Sequence, residues 1–252
     1  MYPNQDFFDI LKAMTVDCKD NGECFTVTDR VAVIERMLEA TPYRLVAREP
    51  LALLYARREL CEGDRVILIS SHIDCVYGRC FCNDEGDCLR GTFDNSFGNA
   101  AVLWAMMNNA LPPDVVVAFT GDEERDSQGA VQAVLALGRM QCNIRTAIVL
   151  EVTNVGWDGG AHFALENDLG IDLLTAHAIV EAARLLGVEY AFEHDAEPDE
   201  SWDYNDYGIP SLALSMPVCG NMHSDDGVLL RREAVGSYCR VLPLLAEVLA
   251  RK

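Results

Sequence analysis

The chain has 252 residues, of which 50% are hydrophobic and 24% are charged, so it can bury a substantial core and is expected to fold as one domain covering residues 1–252. Its 40 acidic and 20 basic residues give a formal net charge of -20, which opposes nucleic acid and anionic membranes as partners. No apolar run is long enough to cross a bilayer, and the first residues lack the basic-then-apolar pattern of a secretory signal, so a cytoplasmic location is expected.

Alternating apolar strands and helices predict an α/β fold, with a mixed and mostly parallel central sheet covered by helices on both faces as a three-layer sandwich. Strands are expected at 43–47, 51–56, 65–71, 115–120, 147–152 and 211–215. Helices are expected at 28–40, 96–108, 127–137, 172–186 and 232–250, the last of them kinked or split at Pro243. Segments 78–91 and 193–206 are expected to be long loops, which in compact domains are often functional.

Ten cysteines in a chain of this size, without an export pattern, are expected to be mostly free thiols. Four of them lie close together in the sequence: Cys75, Cys80, Cys82 and Cys88. Their spacing contains no CxxC pair of the kind that zinc ribbons use. A structural metal site and a local disulfide are therefore the less favoured alternatives to plain thiols in a loop.

Five short stretches place metal-ligating residue types where a buried strand is expected to meet a loop. Open α/β sheets bind ligands outside the carboxyl ends of their strands, so these side chains are expected to converge. Two divalent cations that share one bridging carboxylate need a terminal histidine and a terminal carboxylate each, plus the bridge. One glutamate, Glu123, is then left to move protons. The six candidate residues are His72, Asp94, Glu123, Glu124, Glu151 and His223.

Each stretch by itself has a more ordinary explanation. His72 in SHID is more often a hydrogen-bonded histidine at a strand end, although Asp74 leaves the same face and can also fix the imidazole tautomer that a metal needs. Asp94 in GTFDNSFGNA could cap a helix, and the paired glutamates of GDEERDSQGA could belong to a solvated loop. Glu151 lacks such an ordinary explanation, because a charge inside an apolar strand must be paired or coordinated.

Together and in this order, the motifs SHID, GTFDNSFGNA, FTGDEERDSQGA, LEVTN and MHSDDG resemble those of the co-catalytic zinc exopeptidases of clan MH, over residues 65–250. The resemblance is strongest to the single-domain bacterial aminopeptidase type, and it implies the phosphorylase/hydrolase-like fold. It also implies a hydrolase with two divalent metal ions, zinc first, with cobalt or manganese as alternatives for a carboxylate-rich site. The two implied metal sites share one carboxylate: His72, Asp94 and Glu151 form one, and Glu124, His223 and the same Asp94 form the other.

The resemblance assigns Glu123 as the general base and Asp74 as the group that orients His72, and it implies a cis peptide bond between Asp94 and Asn95. Water on a single zinc ion has a pKa of about 7, against about 15.7 in bulk, and a water that bridges two cations is expected to lose its proton readily too. Glu123 is expected to take that proton as the hydroxide attacks a peptide or amide carbonyl, and then to pass it to the departing amine.

The spacings between candidate ligands limit which subgroup of the clan the sequence can resemble. Only 21 residues separate His72 from Asp94, too few for the domain that large oligomeric aminopeptidases insert there. The 71 residues between Glu151 and His223 leave no room for the dimerisation lid of deacylases. An aminopeptidase is therefore expected. Position 151 is a glutamate, which resembles the carboxypeptidases and deacylases, whereas many of the aminopeptidases have aspartate there. An N-acyl amino acid deacylase or a carboxypeptidase with the same site is therefore the alternative.

The expected substrate is a small peptide or an acylated amino acid, and Asp203 in the acidic segment ESWDYNDYGIP is the candidate to contact a substrate ammonium group. Two other classes of function compete with a hydrolase. A non-catalytic binding domain on this fold would be expected to have lost ligands, and none of the six is missing. A thiol-based redox or metal-storage protein would leave the carboxylates unexplained. The sequence leaves the oligomeric state open.

Overall fold

The computed structural model describes residues 5–16 and 28–251, and within them the chain forms seven helices and eleven strands. The helices are α1 (Gln5–Met14), α2 (Thr28–Leu38), α3 (Ser96–Met107), α4 (Gln128–Arg139), α5 (Leu173–Arg184), α6 (Glu200–Asp206) and α7 (Arg232–Ala250). The strands are β1 (Arg44–Glu49), β2 (Ala52–Ala56), β3 (Arg65–His72), β4 (Cys82–Asp84), β5 (Cys88–Gly91), β6 (Val115–Thr120), β7 (Asn143–Thr153), β8 (Ala164–Leu169), β9 (Ala191–Glu193), β10 (Ser211–Cys219) and β11 (Val228–Arg231).

The central sheet runs in the order β1-β2-β6-β3-β7-β10. Strands β6, β3, β7 and β10 are parallel, whereas β2 and β1 extend one edge with antiparallel pairs. Beyond β10 the sheet divides, because β8 pairs with the first half of β10 and β11 pairs with its end, both antiparallel. The predicted mixed, mostly parallel sheet is confirmed.

Side chains of the central strands divide between two hydrophobic clusters, one on each face of the sheet. In β3, Ile67 and Ile69 belong to one cluster and Val66 and Leu68 to the other, as the alternation of side chains along a strand requires. Helices α1, α2, α3, α5 and α7 contribute to the first cluster, and α4 and α6 to the second. This is the expected three-layer arrangement.

The long central elements lie close to their predicted bounds, whereas several shorter elements were missed. Segment 78–91 is not an irregular loop, because it contains the hairpin of β4 and β5, and segment 193–206 ends in helix α6. The predicted split at Pro243 does not occur, since α7 continues through it. The apolar face of α7 is buried against the core, and this packing offsets the roughly 3 kcal/mol that a proline costs inside a helix. No helix in the described residues has the length and apolar character needed to span a membrane.

Candidate metal centre

The carboxyl ends of the parallel strands bring the predicted ligands to one edge of the sheet. His72 is the last residue of β3 and pairs with Thr120, the last residue of β6, after which the two adjacent glutamates follow. Glu151 lies near the end of β7, and His223 lies in the loop after β10. Asp94 joins them from the turn between β5 and α3.

Asp94 lies between the two histidines and turns one carboxylate oxygen toward each. Its Oδ1 is 3.0 Å from His72 Nε2, and its Oδ2 is 3.5 Å from His223 Nε2. Glu151 Oε1 is 3.4 Å from His72 Nε2, and Glu124 Oε2 is 3.7 Å from His223 Nε2. Each histidine is therefore accompanied by one glutamate of its own and by one oxygen of the shared aspartate.

These separations fit metal coordination. Four ligands held tetrahedrally 2.0–2.2 Å from a zinc ion lie about 3.3–3.6 Å from one another, and the observed separations run from 3.0 to 3.7 Å. Glu124 Oε1 and Glu151 Oε1 are buried and form no hydrogen bond of ordinary geometry with the described residues. Buried polar atoms are rarely left without partners, so these orphaned oxygens fit divalent cations.

The electrostatics of the cluster indicate the same need for cations. Burial raises the pKa of both Glu123 and Glu124 to about 7, and the negative charge of Asp94 adds to this effect while His72 opposes it. Burial also raises the pKa of Glu151 well above its ordinary value. Two imidazoles do not neutralise this group of carboxylates, and bound cations would restore their ordinary ionisation.

Asp74 lies where it can orient His72. Its Oδ1 is 3.4 Å from His72 Nδ1, the ring nitrogen that faces away from the ligand set, and its Oδ2 accepts a hydrogen bond of 3.2 Å from the backbone N–H of Glu124. Burial alone would raise the pKa of Asp74, but the contact with His72 outweighs burial and lowers it. An ionised Asp74 favours the tautomer of His72 whose Nε2 is available to a metal.

Buried amide side chains hold the turn that carries Asp94. The peptide bond between Asp94 and Asn95 is cis, as the resemblance implied. Asn95 Nδ2 donates a hydrogen bond to the carbonyl oxygen of Leu150, and Asn99 Nδ2 donates one of 2.8 Å to the carbonyl oxygen of His72. The turn is thereby attached to β7 and β3, the two strands that carry the candidate ligands beside it.

Glu123 lies beside the ligand atoms but outside the two sets that share Asp94. Its Oε2 is 3.9 Å from His72 Nε2. A third combination, His72 with Glu123 and Glu124, also meets the distances expected of a metal site, but it reuses histidine and glutamate side chains that the other two sets employ. Glu123 is therefore the acidic side chain that lies outside both sets that share Asp94.

A cavity of about 570 Å³ opens over these residues and extends to the segment before α6. Asp203, the predicted substrate contact, does not line this cavity. Helix α6 begins at Glu200 and places Asp203 beside Ser127, at the start of α4. Four carboxylates outside the metal centre line the cavity and are called the outer carboxylates: Glu166, Asp195, Glu197 and Asp199.

The cysteine-rich segment contributes no sulfur ligand to the candidate metal groups of the described residues. Cys75 and Cys80 place their sulfur atoms 4.0 Å apart, within hydrogen-bonding distance for sulfur, whereas Cys82 and Cys88 are free thiols on β4 and β5. In the part of the chain that the structure describes, the groups with metal-ligand spacing contain only histidine, aspartate and glutamate.

Sequence reasoning missed a buried carboxyl group below the site. Glu200, the first residue of α6, is fully buried, and its Oε2 accepts a hydrogen bond of 2.6 Å from Ser70 Oγ. Tyr204 donates a bond of 2.8 Å to the same hydroxyl oxygen. Burial raises the pKa of Glu200 to about 7. The signal for this network was Ser70 itself, because a hydroxyl inside an apolar strand needs a buried partner.

Replacing Glu200 with glutamine is expected to change how stability depends on pH. The pKa of this carboxyl rises from 4.5 to about 7 on folding, so the folded protein binds the extra proton between these values. Its contribution to stability is present in full below pH 4.5 and is lost as the pH rises through about 7. The loss amounts to on the order of 3 kcal/mol in the free energy of unfolding, and glutamine keeps the acceptor for Ser70.

Urea unfolding of the metal-free protein and of Glu200→Gln, at mildly acidic and mildly alkaline pH, measures this difference. The variant is expected to lose less stability than the wild type as the pH rises. An equal loss in both proteins would contradict a titrating Glu200.

Solved structures of other proteins share the fold. A TET aminopeptidase from a marine sediment archaeon of the Thaumarchaeota superposes with a TM-score of 0.76 at 12% identity, covering 98% of this chain and 99% of that one. A tripeptidase from Staphylococcus aureus gives 0.71 at 11% identity over 100% of both chains. The LapA aminopeptidase of Legionella pneumophila gives 0.72 at 12% identity, covering 98% of this chain and 71% of that one. A search among curated proteins finds no match.

The α/β sheet, with its acidic and histidine-containing cluster at the strand ends, defines the class of the protein as a metal-dependent exopeptidase. The sequence from 54 to 228 matches peptidase family M28. The chain belongs to that family, and the predicted relation to clan MH is confirmed. A family of peptidases also makes peptides the general class of substrate.

Proposed function

We propose that this peptidase is an aminopeptidase that holds two divalent ions, zinc in the first place, with cobalt and manganese suited to the same donors. The observation that carries the proposal is the position of Asp94, whose two oxygens lie 3.0 and 3.5 Å from different histidines. When bound, such ions lower the pKa of water and polarise a carbonyl group. The ligands in this proposal are His72, Asp94, Glu124, Glu151 and His223.

Glu123 is the general base in this proposal. Its carboxylate lies at the edge of the ligand set and lines the cavity into which a substrate would enter. From this position it can take a proton from the attacking water and pass it to the departing amine. Asp74 acts through His72, whose ring it orients at 3.4 Å, and is a positioning residue.

The charge of the cavity favours an aminopeptidase over the alternatives. A carboxypeptidase or an N-acyl amino acid deacylase must bind a free carboxylate near the scissile bond, for which arginine and lysine are the usual partners. Among the described residues no arginine or lysine lines the cavity, whereas carboxylates surround it. Such walls attract an ammonium group and repel a carboxylate. The aminopeptidases among the structures with this fold support the same proposal.

A hydrolysis screen tests the proposal. The protein is stripped with a chelator, receives zinc, cobalt or manganese in turn, and is offered aminoacyl, N-acylaminoacyl and carboxy-terminal substrates. We expect two equivalents of metal per chain, activity only after metal is restored, and hydrolysis that requires a free amino group. Faster hydrolysis of an N-acetylated substrate than of its free-amino counterpart would contradict an aminopeptidase.

We further propose that residues 1–252 form a single catalytic domain that acts on peptides in the cytoplasm. Support for one domain comes from the two hydrophobic clusters, which pack against the two faces of the same sheet. Support for a reducing compartment comes from free thiols such as Cys82, Cys142 and Cys239. The net charge of -20 supports partners other than nucleic acid and anionic membranes.

A further inference from the structure

Four side chains on one face of the sheet form a row that leads away from the metal centre. Glu151 and Thr153 lie on β7, Ser215 is paired with Glu151 on β10, and Glu166 follows on β8. Paired residues of neighbouring strands point to the same face. Thr153 Oγ1 donates a hydrogen bond of 3.0 Å to Glu166 Oε1, and all four residues line the cavity.

The middle of the row is made of small residues. Ser215 is paired with Ala164, and Ala213 is paired with Glu166. Neighbouring strands lie about 4.8 Å apart, and Glu166 is offset from Glu151 by two residues along the strands, so their backbones are roughly 12 Å apart. The methylene stem of a lysine or an arginine side chain is long enough to cross such a floor while its charged end reaches a polar group.

Glu166 is a buried carboxyl group without a cationic partner among the described residues. It is only 4% exposed. Burial raises its pKa, and the hydroxyl groups of Ser215 and Thr153 oppose this rise, whereas Asp199 and Glu193 add to it. No lysine, arginine or histidine of the described residues compensates its charge. Buried carboxylates are normally paired, so this group is suited to receive a cation from a ligand.

Ser215 supplies a second polar group aimed into the same space. The residue is fully buried and lines the cavity. Its Oγ forms no hydrogen bond of ordinary geometry with the described residues, although it lies close enough to Glu166 to stabilise the charged carboxylate. A buried hydroxyl with spare hydrogen-bonding capacity at a cavity wall is typical of a place that a ligand completes.

The charges around the whole cavity also favour a cationic ligand. Two divalent ions would offset the four carboxylates of the metal centre, namely Asp94, Glu123, Glu124 and Glu151. The four outer carboxylates would still have no positive counterpart in the described lining of the cavity: Glu166, Asp195, Glu197 and Asp199. Their field favours a ligand that brings its own positive charge.

We propose that Glu166 binds the cationic side chain of an amino-terminal lysine or arginine, assisted by Ser215 and by the other three outer carboxylates. This contact would make the enzyme selective for basic amino-terminal residues. This inference rests on the proposed aminopeptidase function. The scissile carbonyl then lies at the metal centre, and the side chain of the first residue extends along the row toward β8.

The test compares 4-nitroanilides of lysine, arginine, leucine and norleucine, since norleucine keeps the stem of lysine and lacks the ammonium group. The wild type with both metals restored is expected to give a kcat/KM for lysine and arginine at least about tenfold above that for norleucine, because the pair forms in a desolvated site. The preference should weaken as ionic strength rises, through screening of the outer carboxylates.

Glu166→Gln keeps the acceptor for Thr153 and removes the charge. It is expected to lower kcat/KM for lysine and arginine at least about tenfold, mainly through KM, while norleucine is hydrolysed as before. The inhibition constant of lysinol should rise by a similar factor and that of norleucinol should not change. Unchanged hydrolysis of norleucine also shows that the variant is folded. The matched control is Glu181→Gln, which removes one carboxylate on the exposed side of α5 and is expected to change neither substrate preference nor rate.

Equal losses on all four substrates would assign Glu166 to the α-ammonium group and overturn basic-residue selectivity, with the aminopeptidase intact. A lysine preference that survives Glu166→Gln would overturn the role of this residue. Hydrolysis of N-acylated substrates in place of all free-amino substrates would instead overturn the proposed function on which the inference rests.

Discussion

Glu123→Gln is expected to lower kcat by about 100- to 10,000-fold, the range that general base catalysis contributes. Glutamine has the shape of glutamate but cannot accept a proton from the attacking water. Because Glu123 lies outside the two sets that share Asp94, both metal ions should remain bound. Steady-state kinetics and elemental analysis of the same sample measure the two effects.

Asp126→Asn is the matched control for Glu123→Gln. It removes a carboxylate from the same loop after β6, but this side chain is exposed and does not line the cavity. We expect its kcat and its metal content to equal those of the wild type. If Glu123→Gln turned over at a near-normal rate, or lost its metal as well as its activity, the residue would not be the base.

Asp94→Asn is expected to remove metal and activity together. The carboxylate of Asp94 is the group that both proposed sites share, at 3.0 Å from one histidine and 3.5 Å from the other. An amide has one acceptor oxygen and a nitrogen that cannot bind a cation, so at least one site loses a ligand and the two ions lose the negative charge between them. Replacing a residue that is hydrogen-bonded to a metal ligand typically lowers metal affinity 10- to 100-fold. Asp94→Asn removes a ligand itself, so its metal affinity should fall by more than this.

The measurement is metal content after dialysis, together with the rise in Tm when zinc is added. A metal that binds the folded state stabilises it in proportion to its affinity, so the wild type should gain stability and Asp94→Asn should gain little. Asp74→Asn provides the comparison, because Asp74 touches His72 and not the metal, and its loss of affinity should be smaller. Equal metal binding by wild type and Asp94→Asn would contradict the shared site.

The site could be predicted from the sequence because its residues are attached to strongly patterned elements. The runs that end at His72 and contain Glu151 are continuous apolar strands, and such strands in an α/β protein are parallel and buried. Once they are parallel, their carboxyl ends must meet at one edge. The order of the candidate ligands along the chain is therefore enough to predict that they converge, without knowledge of how the strands pair.

The short elements could not be predicted in the same way. Strands β8 and β9 and helix α6 have no long periodic pattern. Their conformation depends on tertiary contacts, because β8 pairs with β10, β9 pairs with β8, and α6 packs against α4. Asp203 was predicted as a substrate contact from the sequence alone, whereas the start of α6 decides which acidic residues face the cavity, and Asp203 does not line it. Local sequence is a weak guide where tertiary contacts determine the structure.

The sequence by itself determined the α/β class, the long strands and helices, and the set of candidate metal-ligating residues, because hydrophobic periodicity and the position of charge at strand ends are local properties. Only the tertiary structure decided that Asp94 faces two histidines, that Glu200 lies buried beneath β3, and that Glu166 faces the cavity with no cationic partner in the described part of the chain. These facts depend on contacts between residues far apart in the chain. Packing of the whole domain selects such contacts, and no local pattern records them.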